Sequence, residues 1–503
     1  MQSSVAETHI SRVFMTGDRA YKMLKAVDAG FVDFTDRETR LAATRAEYEL
    51  NRRFSPDVYL GLADVHEDGE LVDQMVVMRR MPEQRRLRGI LVSLGSPGLH
   101  GRERASLEQE VEGCLRRVAR SIASVHLSRE ALRGPDAAMA TRDSVARHWE
   151  EYFTAIETHV GDVIERDEFD AVRDLARGYL AGSEELFDRR IAAGWVRDGH
   201  GDLRAEDIFC LEDGPRILDC LAFAEEYRVG DVLADIGFLA MDVIHLASDG
   251  LAEQLMACYH EFSGELHPES LARHYIAYRA HVRVKIACLK AEQGDRSHVE
   301  EARQLHRLAF RQLHRSRRRM VLVGGGPGAG KSTVSRAISE ELGLALCVSD
   351  EIRKDLAGLD HRADASAAPG EGIYTSEVTD RTYEEMLSEA AALLGRGESV
   401  VLDASWSSRR HRDAAGELAG ECGAELVEIE CRVPTETARE RVAARAGAPA
   451  DATVEVVDAM AVSCEPWPTA AVLDTSVAAD RAPAVALELV SGRPARWTPE
   501  RGS

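Results

Sequence analysis

The chain has 503 residues, with 63 Lys or Arg against 86 Asp or Glu, giving a formal net charge of −23. That length suits two or three folding units, and an apolar content of 45% is enough to bury real cores. The acid excess excludes a general nucleic-acid-binding surface, which needs clustered cations, but leaves room for a local cationic pocket around a phosphorylated ligand. The best apolar stretch, 232–247, is too short to cross a membrane and carries Asp235 and Asp242. The first residues, MQSSVAETHISRVF, lack the basic start and apolar run of a secretory signal. Nine cysteines, an odd number with no Cys-x-x-Cys pair, read as reduced core residues of a cytoplasmic protein, forming neither disulfides nor a zinc site.

In chain order, residues 8–25 predict a hairpin about the Thr16-Gly17-Asp18 turn. Thr35 and Glu38 form a capping-box pattern ahead of a helix running to about Phe54. A second hairpin, 58–65 and 71–78, turns at Asp68-Gly69 and is broken by Pro82. Together these predict a small sheet-plus-helix lobe. Residues 103–190 are helical by composition and period, 196–220 are β-rich, and helices continue to about 313. The basic run 311–319 reads as a solvated helix end or linker. After it the pattern changes. Met320–Val323 is a short apolar strand leading into glycines, and strands near 344–348, 399–403, 425–431 and 471–474 alternate with helices. That alternation predicts an α/β parallel sheet covered on both faces, with domains at 1–316 and 317–503.

The glycine cluster Gly325, Gly326, Pro327, Gly328, Ala329, Gly330 leads into Lys331, Ser332 and Thr333 and fits G-x-x-x-x-G-K-[ST]. Glycines let successive backbone N–H groups turn toward phosphate oxygens, where a Cβ would obstruct the approach. Lys331 is spaced to reach the β- and γ-phosphates of ATP, Ser332 to join a Mg2+ shell, and the following helix adds its positive end. Asp350, just past the second strand, is placed to take a proton from an acceptor hydroxyl, with Arg353 one turn on for an anionic group. A plainer reading has Ser349 or Asp350 capping the helix. Asp403 ends an apolar strand and is a second candidate Mg2+ contact. Helix 435–446 carries Arg439, Arg441 and Arg445, the last two on one face, before a Gly/Pro/Ala-rich tip that suits a lid over transferring phosphate.

On those residues, with Gly372-Ile-Tyr-Thr375 and Val401-Leu-Asp-Ala-Ser-Trp406, the segment from 320 to about 480 resembles small-molecule P-loop kinases of the gluconate kinase, polynucleotide kinase and zeta-toxin type. Such domains are often labelled AAA ATPases, although no sensor or arginine-finger pattern for ring mechanics is visible.

In the first half, His200-Gly201-Asp202-Leu203 follows a β-rich stretch, and Arg216-Ile-Leu-Asp219 is an apolar strand ending in Asp. Gly230-Asp231 and Asp235 come next. Two aspartates from neighbouring strand ends can serve as base and magnesium ligand in phosphoryl transfer. Upstream, Lys22 falls in a strand and Glu47 in the capped helix. Residues 8 to about 300 thus resemble the aminoglycoside phosphotransferase-like fold, an α+β two-lobed relative of protein kinases. The resemblance implies that Asp202 is the catalytic base, Asp219 holds magnesium, Lys22 and Glu47 anchor phosphates, and 79–83 form a hinge near adenine. One position departs from the family: Asp207 stands where a second magnesium ligand is usually Asn. The pairing of the two halves resembles a bacterial two-domain family. It implies transfer of the ATP γ-phosphate to a small-molecule hydroxyl, chiefly by the second domain, without membrane or general nucleic-acid partners. The alternative is an NTPase gated by a ligand-sensing pseudokinase.

Overall fold

The computed structural model describes residues 3–8, 10–28, 32–96, 98–292, 294–361, 371–444, 454–476 and 481–492. Backbone contacts divide the chain into two compact units, one of residues 1–176, 187–267 and 271–315, the other of 177–186, 268–270 and 316–503.

The first unit opens with β1 (Ser3–Glu7), β2 (Ser11–Thr16), β3 (Arg19–Leu24), α1 (Arg37–Asn51), β4 (Tyr59–Glu67) and β5 (Glu70–Arg79). The strands form one antiparallel sheet in the order β1-β2-β3-β5-β4. Ala20, Tyr59, Val76 and Met78 fill the core of this lobe, with Tyr48 of α1 packed against them. Helix α1 starts one residue later than the Thr35/Glu38 pattern predicts. Asp36 is its cap and accepts from the Thr39 N–H at 2.8 Å, while Thr35 instead donates to Asp33. Asp caps as well as Thr does, so two overlapping patterns competed.

The helical lobe follows: α2 (Leu87–Gly95), α3 (Gly101–Ser128), α4 (Arg142–Glu157), α5 (Arg166–Ala181) and α6 (Glu184–Ala192). Short strands β6 (Val196–Asp198), β7 (Ile208–Leu211), β8 (Gly214–Ile217) and β9 (Val229–Asp231) pair as β6 with β9 and β7 with β8. Helices α7 (Val232–Leu246), α8 (Asp249–Ser263), α9 (Glu269–Glu292) and α10 (His298–Ser316) complete it. The long apolar stretch of the sequence is α7, buried along almost its whole length. No helix among the described residues is long and apolar enough to cross a membrane. The expectation of nine reduced cysteines fails: Cys114 of α3 and Cys210 of β7 form a disulfide, with Cα atoms 6.0 Å apart. Their separation of 96 residues leaves no local spacing by which the sequence could reveal the pair.

The second unit runs β10 (Arg319–Gly324), α11 (Lys331–Leu342), β11 (Ala345–Val348), α12 (Ser349–Leu356), α13 (Ser376–Gly395), β12 (Val400–Asp403), α14 (Arg409–Glu421), β13 (Glu425–Arg432), α15 (Thr435–Ala444), α16 (Val454–Ser463), β14 (Ala471–Asp474) and α17 (Arg481–Ser491). Its strands are all parallel, in the order β11-β12-β10-β13-β14. Strand alternation makes three layers. Met320 and Leu322 pack with Met386 of α13 and Ala415 of α14, whereas Val321 and Val323 pack with Val334 of α11 and Ala486 of α17. Each such fully buried aliphatic side chain contributes about 1.5–3 kcal/mol. Strand order reverses at β10, and Val323 and Val348 both stand in register with Asp403. The glycine loop, the start of α12 and Asp403 therefore share one sheet edge, where ligands of open α/β sheets collect.

Candidate active sites

In the second unit the loop after β10 needs glycine for conformation and for space. Gly325, Gly328 and Gly330 have φ of 134°, 74° and 85°. A Cβ on Gly325 would lie 2.5 Å from the Cys431 carbonyl oxygen, and one on Gly328 2.6 Å from that of Ala438. Two loop carbonyls are held by side chains that the sequence reading missed or assigned elsewhere. Thr475 Oγ1 donates to Ala329 O at 2.7 Å, and Arg441 donates to Gly328 O at 3.2 Å and Thr475 O at 2.8 Å. Nothing in the sequence around Thr475 marks it. Lys331 opens α11 and donates to Gly326 O at 3.1 Å, folded back over its own loop. Ser332 and Thr333, in the same first turn, are exposed.

Asp403 is buried facing the hydroxyls of Ser332 and Ser335. Burial pushes its carboxyl up, partly offset by Lys331, and its Oδ2 has no hydrogen-bond partner. An orphaned carboxylate oxygen beside an exposed serine hydroxyl fits a magnesium shell. Asp350 is exposed and accepts from Arg353 Nη1 at 3.1 Å, while the buried Arg353 guanidinium lies 4.8 Å from the Tyr374 ring centroid. Neither Ser349 nor Asp350 caps α12, whose cap position is Val348 with no side-chain bond. Arg439 pairs with Asp458 at 2.8 Å. Arg445 and the 446–452 tip lie outside the described residues.

In the first unit the structure joins the residues singled out from distant segments. Lys22 Nζ lies 2.9 Å from Glu47 Oε1 and 2.6 Å from Asp219 Oδ1. Burial opposes the charge on Lys22, but Asp219 and Glu47 outweigh it and hold the ammonium above its usual range. The Lys22 charge in turn holds the Asp219 carboxyl below its usual range. Asp219 has φ 65°, a left-handed conformation costing a non-glycine residue about 1–2 kcal/mol. Its N–H donates to the Tyr59 hydroxyl at 3.2 Å, and the next N–H to Asn51 Oδ1 at 2.8 Å, fixing the turn. Lys22, Glu47, Tyr59 and Asp219, with Asp202, Asp207 and the 79–81 segment, line one cleft of about 610 Å³.

Burial first, and then the Asp219 charge, hold the Asp207 carboxyl well above the usual range. Two carboxyls competing in this way fit a cation between them. Among the described residues no cluster of three or more His, Cys, Asp or Glu side chains could hold a metal unaided.

Sequence reasoning noted Asp235 without giving it a job. It accepts from the backbone N–H groups of His200 at 2.5 Å and Gly201 at 2.9 Å, and His126 Nε2 lies 3.1 Å from it. Burial works against its ionisation, but the bonds and charges of His126 and His200 win and push its carboxyl far down. Asp235 therefore holds the turn that presents Asp202.

The family model described as an AAA domain matches residues 320–467. The uncharacterized protein Rv2004c of Mycobacterium tuberculosis (strain H37Rv) is 35% identical over 473 residues, 94% of this chain and 92% of that protein. Among solved structures, an unliganded sugar kinase from Janibacter sp. HTCC2649 is 20% identical with a TM-score of 0.27, over 34% of this chain and 94% of that one. A choline/ethanolamine kinase family protein from Mesorhizobium loti is 15% identical with a TM-score of 0.36, over 62% of this chain and 92% of that one. The chain joins an α+β two-lobed unit to an α/β parallel-sheet unit with a P-loop.

Proposed function

The chain belongs to the same family as the mycobacterial protein Rv2004c, and from that footing we propose that it is an ATP-dependent phosphotransferase acting on a small-molecule hydroxyl, chiefly through residues 317–503. The observation that carries this reading is the convergence of Lys331, Ser332, Asp350 and the orphaned Asp403 oxygen at one sheet edge. In this reading Lys331 leaves the Gly326 carbonyl for the β- and γ-phosphates, and loop N–H groups orient them. Asp350 takes the acceptor proton, and Arg353 holds an anionic group of the transferring complex. Arg441 and Arg445 form the lid side. Ser332 and Asp403 would hold Mg2+, which neutralises charge on the phosphates when bound. Residues 1–316 form the second kinase-like domain, with Asp202 as base, Lys22 and Glu47 anchoring phosphate, and Asp219 with Asp207 toward magnesium. A cytoplasmic location suits dependence on ATP, although the Cys114–Cys210 disulfide is unusual for a reducing compartment.

The test is ATP turnover with acceptor screening by phosphorylated-product detection. Lys331→Ala abolishes the turnover of the second domain, and Asp350→Asn spares nucleotide affinity while removing transfer. Unchanged turnover in the lysine variant refutes the assignment. One observation favours the alternative of a regulatory pseudokinase: burial and the Asp219 charge disfavour the ionised form of Asp207 that binds magnesium best. ADP release that needs Asp202 decides against it.

A further inference from the structure

A second pocket, of about 120 Å³, opens within the first unit and shares the loop that carries Asp202. Arg204 and Glu206 of that loop line it, so residues 202–206 border both the large cleft and this smaller pocket. Three further cations reach it from two other elements: Arg88 of α2, with Arg283 and Lys290 of α9. Three carboxylates also line it, but each is engaged. Glu206 pairs with Arg204, Asp242 accepts the Ala205 N–H at 2.9 Å, and Glu301 accepts from His298 at 2.6 Å and Arg283 at 3.4 Å.

The four cations still outnumber the three lining carboxylates by one charge. Arg88 and Lys290 form no ion pair among the described residues, and the buried Nε of Arg204 has no hydrogen-bond partner. Burial and the neighbouring Arg204 charge press the Arg283 guanidinium below its usual range against the pull of Asp242, Asp202 and Glu301, whereas the acids around Arg204 hold its own guanidinium up. In a chain of net charge −23, four cations gathered from three segments around one small pocket need a reason.

We propose that this pocket binds an anionic group, a phosphate or carboxylate, of the acceptor substrate of the first domain. The proposal rests on reading that domain as a phosphotransferase. Arg204 and Glu206 of this pocket stand on the same loop as Asp202, which lines the large cleft, so an acceptor anchored here by its anion would extend its hydroxyl toward Asp202. In transfer, the hydroxyl oxygen forms a new bond to the γ-phosphorus as the bond to the β-phosphate oxygen breaks. Its proton passes to Asp202, and ADP leaves. The acceptor class is then an anionic alcohol, such as a phosphorylated sugar or a hydroxy acid, and not a polycationic amine.

The experiment uses the full chain carrying Lys331→Ala, which removes the P-loop as a phosphate site, with Mg·ADP saturating the first-domain cleft. Inorganic phosphate is titrated by calorimetry. Arg88 and Lys290 are exposed, so their removal does not threaten folding. Each of Arg88→Ala and Lys290→Ala weakens phosphate binding at least threefold, and the pair at least tenfold. Unchanged phosphate affinity in the double variant overturns the proposal. So does kanamycin binding in place of phosphate, lost on Asp242→Asn, because it assigns the pocket a cation. Phosphate binding that needs Arg88 and Lys290, combined with ADP release indifferent to Asp202→Ala across phosphorylated acceptors, keeps the anion site and removes the transfer reading.

Discussion

Asp235→Asn tests whether one buried carboxylate positions the loop of Asp202. The carboxylate takes two backbone N–H groups, from His200 and Gly201, and a third partner in His126. Asparagine keeps one acceptor oxygen, but in either orientation its NH2 faces a backbone N–H, that of His200 beside the His126 ring or that of Gly201. At least one buried donor is then left unmet, at a cost of about 1–3 kcal/mol. Local opening of the turn becomes easier by that amount, which is about 5- to 150-fold in its equilibrium constant. Hydrogen exchange of the 199–203 backbone reads this directly, without requiring the two-unit chain to unfold in one step. The amides of His200 and Gly201 should exchange faster by that factor, while those of β10 and β12 in the other unit stay as they were. The pH dependence has a definite sign. The folded carboxyl sits below its usual value of 3.8, so its contribution is complete above that value and is lost as pH falls below it. The wild-type turn therefore loosens in acid, and the asparagine variant does not share that dependence. Equal protection of the two amides in wild type and variant at neutral pH refutes the anchoring argument.

Three other perturbations follow from the same geometry. Asp403→Asn removes the carboxylate beside Ser332, so magnesium should stop improving ATP affinity in the second unit, while metal-free ATP binding, by calorimetry, changes little. Asp207→Asn should raise the melting temperature of the first unit at pH 7.5. The folded carboxyl titrates above its usual value, so wild type loses stability as pH rises from about 4 through that window; the gap between the two proteins should close toward pH 4 and narrow with Mg·ATP. Replacing both Cys114 and Cys210 by Ser opens a covalent link between residues 96 apart. The chain-entropy estimate for such a loop is about 4–5 kcal/mol, read as a lower urea midpoint than that of the non-reduced protein.

How far the sequence reveals this molecule depends on whether the signal is local. Asp403 was readable because an apolar strand stops on an acid, and the parallel sheet because strand and helix alternate after residue 320. Lys22 and Glu47 were singled out by the resemblance to the aminoglycoside phosphotransferase-like fold, with one in a strand and the other in a helix, and the fold brings them to 2.9 Å. The cap of α1 was misplaced by one residue because Asp36-x-x-Thr39 overlaps Thr35-x-x-Glu38 and both satisfy the same chemistry. Asp235 sits inside the most apolar helix, where its partners, His126 and the 200–201 backbone, come from other segments. The Cys114–Cys210 pair and the pocket around Arg283 are likewise products of packing between distant segments, with no local period to betray them.

Range also reconciles an acidic chain with anionic ligands. Exposed carboxylates act through water and salt, and at physiological ionic strength their field decays over about 8 Å. A carboxylate about 16 Å from a bound phosphate then contributes well under 0.1 kcal/mol of repulsion per charge pair. A cation about 4 Å away in a partly buried pocket, at an effective dielectric near 20, contributes about 4 kcal/mol before desolvation is counted. Dozens of distant acids would thus be offset by a single close contact, the role proposed for Lys331 at the loop. Net charge governs what approaches the surface as a whole, and the position of a few cations governs what stays.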